Sequence, residues 1–400
     1  MRIFLCVLLL SCSHLLFAQQ QAAYSKLWGK KGEAWDTAKI PDFRHAGYEQ
    51  GKPLPTYPVK VNILSFGGKG DGKTDNTQAL RMAVAACKEN GTLYIPAGTY
   101  LISDTVIVRN NGICISGDGK NKTTLFFTKG LEELYPRYNI GTPKQTRWSW
   151  GGAMLLFNNT DHSGIRDITI RFPDSLYGVH NFHERAYDAI GFANNARNGW
   201  VSDVKIINAD LGIWIERSAH HITAQKWELA FGPVRAAQKI SGHHGINAYG
   251  GYNLFQDFFV NGKYVHDLSV ESNNSIFNVF RNGKGKDLCI DHHNHDQSHN
   301  LFTNLDAGEG TRLYTSGGKQ TPRGVSFHET YWNITARNNN MSYCDQHNSP
   351  ALQSRDNVAV GIKTQRPSDT ANAYGNWFET IDPAALRPKD LYEAQKGMTH

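Results

Sequence analysis

The chain has 400 residues, a formal charge of +6, 20% charged residues and 11% aromatic ones. With 38 glycines and many asparagines it suits a turn-rich β protein, which excludes a disordered or mainly helical chain. The charge is small and no lysine or arginine run occurs, so no nucleic-acid partner is expected and an acidic ligand is permitted without being demanded.

Met1 to Ala18 reads as a secretory signal: Arg2, an apolar core, then a small residue before a glutamine run. It is too short for a membrane span with flanks, and no later stretch is apolar enough, so no integral membrane segment is expected after signal removal. Leu9-Leu10-Ser11-Cys12 supports a competing reading, a lipoprotein signal with an acylated Cys12. Both readings make the protein exported, periplasmic or extracellular. Residues 19–58 read as an extended segment, because Pro41, Pro53, Pro55 and Pro58 break any helix. Such a segment wraps the body or caps its N-terminal end. Beyond the signal, Cys87, Cys114, Cys289 and Cys344 form no CxxC pair, which removes zinc-ribbon and thioredoxin readings. Buried free thiols are the default, with one or two disulfides open in an exported protein.

Phe66-Gly67-Gly68-Lys69-Gly70-Asp71-Gly72-Lys73-Thr74-Asp75-Asn76-Thr77 precedes a predicted helix over Gln78 to Glu89. Thr74, Asp75 or Asn76 supplies its cap, and Leu80, Ala83, Val84 and Cys87 its buried face. Gly91 to Tyr100, with Pro96-Ala97-Gly98-Thr99-Tyr100 at its end, closes the unit. Both halves resemble the opening of the pectate-lyase-like superfamily, with its rhamnogalacturonase/epimerase-like N-terminal motif. That group contains polygalacturonases, rhamnogalacturonases and phage tailspikes. The resemblance implies an all-β fold, a single-stranded right-handed parallel β-helix with an N-terminal capping helix, over residues 59–382; residues 383–400 read as a C-terminal tail, a short terminal helix or a disordered end. The resemblance fixes no reaction.

Short apolar runs follow, separated by Gly and Asn turns. Arg166-Asp167-Ile168-Thr169-Ile170, Ser202-Asp203-Val204-Lys205-Ile206 and His266-Asp267-Leu268-Ser269-Val270 echo one another. Alternation within each run sends every second side chain into a core. Asn-Leu-Phe at Asn253, Asn-Val-Phe at Asn278 and Asn-Leu-Phe at Asn300 recur at 25 and 22 residues, the signature of stacked coils. Two aromatic insertions interrupt the rhythm. Leu131 to Gly152 carries Tyr135, Tyr138, Trp148 and Trp150; Phe172 to Arg185 carries Tyr177, His180, Phe182 and His183. Such loops either stack on sugars, making Trp148 and Trp150 substrate-binding candidates, or pack onto the body.

Ser241 to Arg312 is dense in His, Asp and Asn. Residues one coil apart stack in a β-helix, and His220, His243 and His266 fall at equal steps, as do the pairs His220-His221 and His243-His244. One face is then expected to present His221, His244, Asp267 or Glu271, Asp291 or His293, and Arg312, with one histidine of each pair turned inward. Ladders of Asn, His and Ser also stabilise coils without chemistry, but so many titratable groups together are costly unless used or solvated. For metal, adjacent residues of the Asp291-His292-His293 run point opposite ways and suit zinc poorly. Calcium, supplied with oxygens by Asp291, Asp296, Asp306 and Glu309, is the first candidate ion, and no other cofactor is indicated.

Three functions follow. A polysaccharide lyase needs a base, a carboxylate clamp and an acid for the leaving oxygen. His244 or His293, Arg312, and Tyr249 or Tyr314 fill those roles, with His243 and Asp291 beside them. His221, Asp267, Glu271 and Asp306 join the tryptophans as substrate-binding candidates. A glycoside hydrolase needs two carboxylates. Polygalacturonases carry NTD, DD, GHG and RIK motifs, which Asn208-Ala209-Asp210, Gly242-His243-His244-Gly245 and Gly361-Ile362-Lys363 echo, but no DD element is present. A pair such as Asp291 with Asp306 or Glu309 stays open. A non-catalytic tailspike-like carbohydrate-binding protein is the third reading. The partner in every case is a polysaccharide or oligosaccharide, and cleavage of an acidic, uronic-acid-containing polymer by elimination is the leading expectation.

Overall fold

The structure is a computed structural model that describes residues 21–135, 152–176, 185–293, 296–315, 327–337, 355–362 and 375–398. The signal, Cys12, Cys344, Trp148, Trp150, Tyr177, His180, Phe182, His183 and Lys363 lie outside them. The architecture is a right-handed parallel β-helix, as the motif implies. Among the described residues every ladder between strands is parallel, and the coils build three faces.

The N-terminal motif explains its own residues. The helix runs Thr77–Ala86, shorter than the sequence suggests, and buries Leu80, Ala83 and Val84 over the first coil. Asn76 stands at the cap position but makes no side-chain cap bond. It latches the glycine loop instead: Lys69 N donates to its Oδ1 at 2.7 Å and its Nδ2 donates to the Lys69 and Thr74 carbonyls. Asp75 does the capping, accepting from Thr77 N at 2.9 Å.

One face is a sheet of eight parallel strands: Val106–Val108, Leu155–Asn158, Asp188–Ala193, Leu211–Ile215, Gly242–Ala248, Tyr264–Val270, Ile290–His292 and Tyr314–Thr315. Ile213, Ile246, Leu268 and Ile290 stack in register toward the core. The next residue of each strand, Trp214, Asn247, Ser269 and Asp291, stacks on the outside.

The other two faces meet at a sharp bend. Asp203, Lys226, Asp257, Asn282, Asn304 and Asn333 all occupy it with φ between 51° and 57°. Asn and Asp tolerate this left-handed region better than other side chains, which is why they dominate the corner. Asp167 (φ 58°) is an earlier member. His266-Asp267-Leu268 belongs to the eight-stranded sheet instead, so the third echo is not equivalent to the first two. Alternation sets inside against outside; it does not say which face.

The Asn-Leu-Phe repeat marks the remaining corner. The preceding residues Tyr252, Phe277, His299 and His328 are left-handed, and their rings stack at 5.0, 5.2 and 4.8 Å. Asn253, Asn278 and Asn300 form a buried amide ladder at 2.8 and 3.0 Å. Phe255, Phe280 and Phe302 stack inside at 4.7 and 4.9 Å. Each fully buried ring contributes about 2 to 3 kcal/mol from area alone.

Leu254, Val279 and Leu301 point outward and are covered by Trp28, Ile40 and Phe43 of the N-terminal segment and by Leu391 and Tyr392 of the helix Leu391–Lys396. The leader therefore wraps the body, and the tail docks on it. Gln395 fastens the two together, accepting from Phe43 N and donating to Pro41 O, both at 2.9 Å. Cys87, Cys114 and Cys289 are buried. Among the described residues no helix is long and apolar enough to cross a membrane.

Candidate active site

The coil that ends at Asp210 sets the position of the histidine pair. Its backbone carbonyl accepts from His243 N at 2.9 Å and His244 N at 3.0 Å. Its carboxylate is locked away in a fully buried ion pair with Arg235 at 2.7 Å. Asp210, part of the NTD-like echo, thus holds the strand rather than facing solvent.

His244 lies in register with His266 on the next strand, their rings 4.9 Å apart. His243 packs edge-on against both, at 4.4 and 5.3 Å. His244 Nδ1 sits 3.0 Å from Ser269 Oγ and 3.2 Å from Glu271 Oε1. One coil on, His293 Nδ1 is 2.8 Å from Asp291 Oδ2 and 3.8 Å from Glu271 Oε1. His266 Nδ1 is 3.4 Å from the same Asp291 oxygen. His292, between Asp291 and His293, turns inward and meets Tyr331 Oη at 3.0 Å. The sheet's two-residue period is what puts Asp291 and His293 on one side.

The charges are split. Burial, helped by His243, His266 and His293, pulls the His244 imidazole well below its ordinary range. Burial also opposes a charge on His293, but Glu271 and Asp291 outweigh it and hold its pKa at about 9. His266 is raised by Asp291 against the same burial. Asp291, although buried, is held well below the carboxylate range by His266 and His293. Tyr249 packs beside Trp214 and Leu211, and burial with the nearby Glu271 pushes its phenol up.

The structure therefore gathers His243, His244, Glu271, Asp291, His293 and Tyr249. It adds His266, Ser269 and Trp214, which the sequence reading left out of its catalytic set. The register of the His-Asp-Leu-Ser-Val run with Gly242–Ala248 is the signal that finds His266 and Ser269, and the register of Leu211–Ile215 with the same strand finds Trp214.

Other expected members go elsewhere. His221 stacks on Tyr252 at 5.2 Å in the ring ladder of a different corner. The segment around the helix Pro233–Ala236 lengthens its coil, so equal steps in sequence do not mean one face. Asp267 is buried and accepts from Tyr264 N and Cys289 N, which leaves it no substrate role. Arg312 is spent on the fold: it pairs with Asp267 at 2.5 Å and donates to the Tyr264, Val265 and Asp287 carbonyls. It is not positioned as a carboxylate clamp. Tyr314 is buried beneath Tyr331. Asp306 lies at the bend of the other two faces, lining an open groove of about 840 Å³ with Lys226, Asp257, Asn282 and Lys284. The histidines and their carboxylates are not in that groove. The oxygen set for calcium does not converge either. Glu309 pairs with Arg337 at 2.6 Å, Asp306 accepts from Gly308 N, and Asp291 is taken by histidines.

The parallel β-helix and the glycine-rich N-terminal unit are those of the pectate-lyase-like class. The chain belongs to the family described as rhamnogalacturonase A/epimerase, pectate lyase-like, which matches residues 60–347. It is 28% identical over 193 residues to the probable rhamnogalacturonase B of Neosartorya fischeri, covering 41% of this chain and 37% of that one. It is 34% identical over 83 residues to alginate lyase 7 of Azotobacter vinelandii, covering 19% and 10%. The chain thus spans well under two thirds of the length of either relative. The solved endo-xylogalacturonan hydrolase of Aspergillus tubingensis superimposes with a TM-score of 0.49 at 12% identity, over 76% of this chain and 83% of that one.

Proposed function

We propose that the protein is an exported carbohydrate-active enzyme that cleaves an acidic, uronic-acid-containing polysaccharide by β-elimination at the histidine cluster. The observation that carries this reading is the pair of contacts around Glu271: His244 Nδ1 at 3.2 Å and His293 Nδ1 at 3.8 Å. Elimination needs a base for the proton beside the uronate carboxylate, positive charge at that carboxylate, and an acid for the leaving oxygen. His244 is placed to take the proton, with Ser269 and Glu271 orienting its ring. His266 and His293 face the carboxylate, and Tyr249 protonates the leaving oxygen.

Hydrolysis is the second reading, favoured by the rhamnogalacturonase relatives and by Glu271 and Asp291 converging on one imidazole. It requires a carboxyl pair free to act on the glycosidic bond. Asp291 is held by two histidines, which is why elimination is preferred.

The test is incubation of the protein with a panel of uronic-acid polymers. Elimination gives an unsaturated product with new ultraviolet absorbance. New reducing ends without that absorbance replace elimination by hydrolysis. Retention on a polysaccharide gel with neither signal overturns both.

A further inference from the structure

We propose that His266, Asp291 and His293 form a binding site for a divalent transition-metal ion, zinc foremost. A tetrahedral zinc ion with bonds of about 2.0 to 2.1 Å needs donor atoms about 3.3 Å apart. Asp291 Oδ2 lies 3.4 Å from His266 Nδ1 and 2.8 Å from His293 Nδ1. All three donor atoms fall within 4.8 Å of one another. Two imidazoles and one carboxylate on a rigid sheet leave further positions open, the pattern of a catalytic rather than a structural ion.

A second observation points the same way. His266 Nδ1 and Glu271 Oε1 are buried from solvent and held only by long contacts to other titratable groups, Asp291 Oδ2 at 3.4 Å and His244 Nδ1 at 3.2 Å. Buried polar atoms are nearly always satisfied, and an ion at this point satisfies the imidazole directly. Glu271 Oε1 stands at the edge, 3.8 Å from His293 Nδ1. His243 and His244 form a neighbouring triad with His266, beside the first. The objection that neighbours on a strand point apart does not apply, because Asp291 and His293 are two residues apart and His292 turns away between them. Nitrogen donors select zinc or a similar ion over calcium and magnesium.

The site rests on this geometry alone. Its use rests on the elimination reading: with His266 and His293 as its ligands, the ion would carry the positive charge that these two imidazoles otherwise present to the uronate carboxylate, a charge that Arg312, engaged in the fold, does not supply.

The experiment uses the full chain, stripped with a chelator and titrated with zinc chloride by calorimetry, with metal content checked by mass spectrometry. The expected result is one ion per chain, with affinity falling at least tenfold in Asp291→Asn and in His293→Ala and unchanged in the exposed-surface control His45→Ala. Absence of stoichiometric uptake, or equal uptake by the two site variants, overturns the proposal. Cobalt(II) decides the matter should the variants fail to fold. Intense visible bands of a tetrahedral nitrogen–oxygen set support the site in the unaltered protein; the weak spectrum of the hydrated ion overturns it. Zinc uptake without polymer cleavage leaves the site standing and removes the elimination reading, and cleavage without uptake does the reverse.

Discussion

His244 Nδ1 lies 3.2 Å from Glu271 Oε1, just past the end of the neighbouring strand, and the two side chains meet on the same side of the sheet. Their contact couples them, so their substitutions are expected to be non-additive. His244→Ala and Glu271→Gln should each lower the cleavage rate about 100-fold or more, the usual worth of a positioned acid–base group. The double variant should be little worse than either one. Steady-state rates on a soluble uronic-acid polymer check this, and a double variant whose loss is the product of the two single losses contradicts it.

Arg312 should prove structural. Its removal leaves Asp267 buried with only two backbone N–H donors. Breaking a buried pair from one side costs about 3 kcal/mol or more. Arg312→Ala should therefore show a lower urea midpoint, while the fraction that stays folded retains its KM for the polymer. A raised KM with unchanged stability would restore the arginine to the substrate site.

The amide ladder makes a similar prediction. Asn278 Oδ1 accepts from Asn253 N and Nδ2, and its own Nδ2 donates to Gly250 O and Asn300 Oδ1. Asn278→Ala strands several buried groups at once and should cost roughly 3 kcal/mol. Equilibrium denaturation measures it. A loss below roughly 1 kcal/mol would mean that the ladder relaxes or admits water.

Glu329 continues that ladder as a carboxyl, accepting from Asn300 N and Nδ2 at 2.9 Å each. Burial pushes its pKa from 4.5 up to about 8. Between those values the unfolded chain has released the proton while the folded chain still holds it. The unfolded state thus binds fewer protons, and stability falls as pH rises through this window. Glu329→Gln should flatten that part of the stability–pH curve. An unchanged slope between pH 5 and pH 8 in the variant would assign it to another group.

Much of this architecture is legible in the residues. The glycine-rich motif names the fold because Asn76 and Asp75 have specific partners in the turn it forms. The Asn-Leu-Phe repeat reports a corner residue, a ladder amide, an outward aliphatic and an inward ring in three letters. The site is only half legible. Glu271, Asp291 and His293 fall where coil spacing puts them, but coil length is not constant. The extra residues around Pro233–Ala236 carry His221 to another corner. The fate of Arg312 depends on Asp267 turning away from the solvent, and a strand pattern does not encode that where a carboxylate takes backbone donors. Trp214 and Ser269 become visible only once the strands are registered.

The most direct measurement is the ultraviolet absorbance of unsaturated product released from uronic-acid polymers by the unaltered protein and by His244→Ala, both shown to be folded by circular dichroism. The account predicts a steady rise for the first and a rate at least about 100-fold lower for the second. Equal rates in the two proteins would place the chemistry outside the histidine cluster and contradict it.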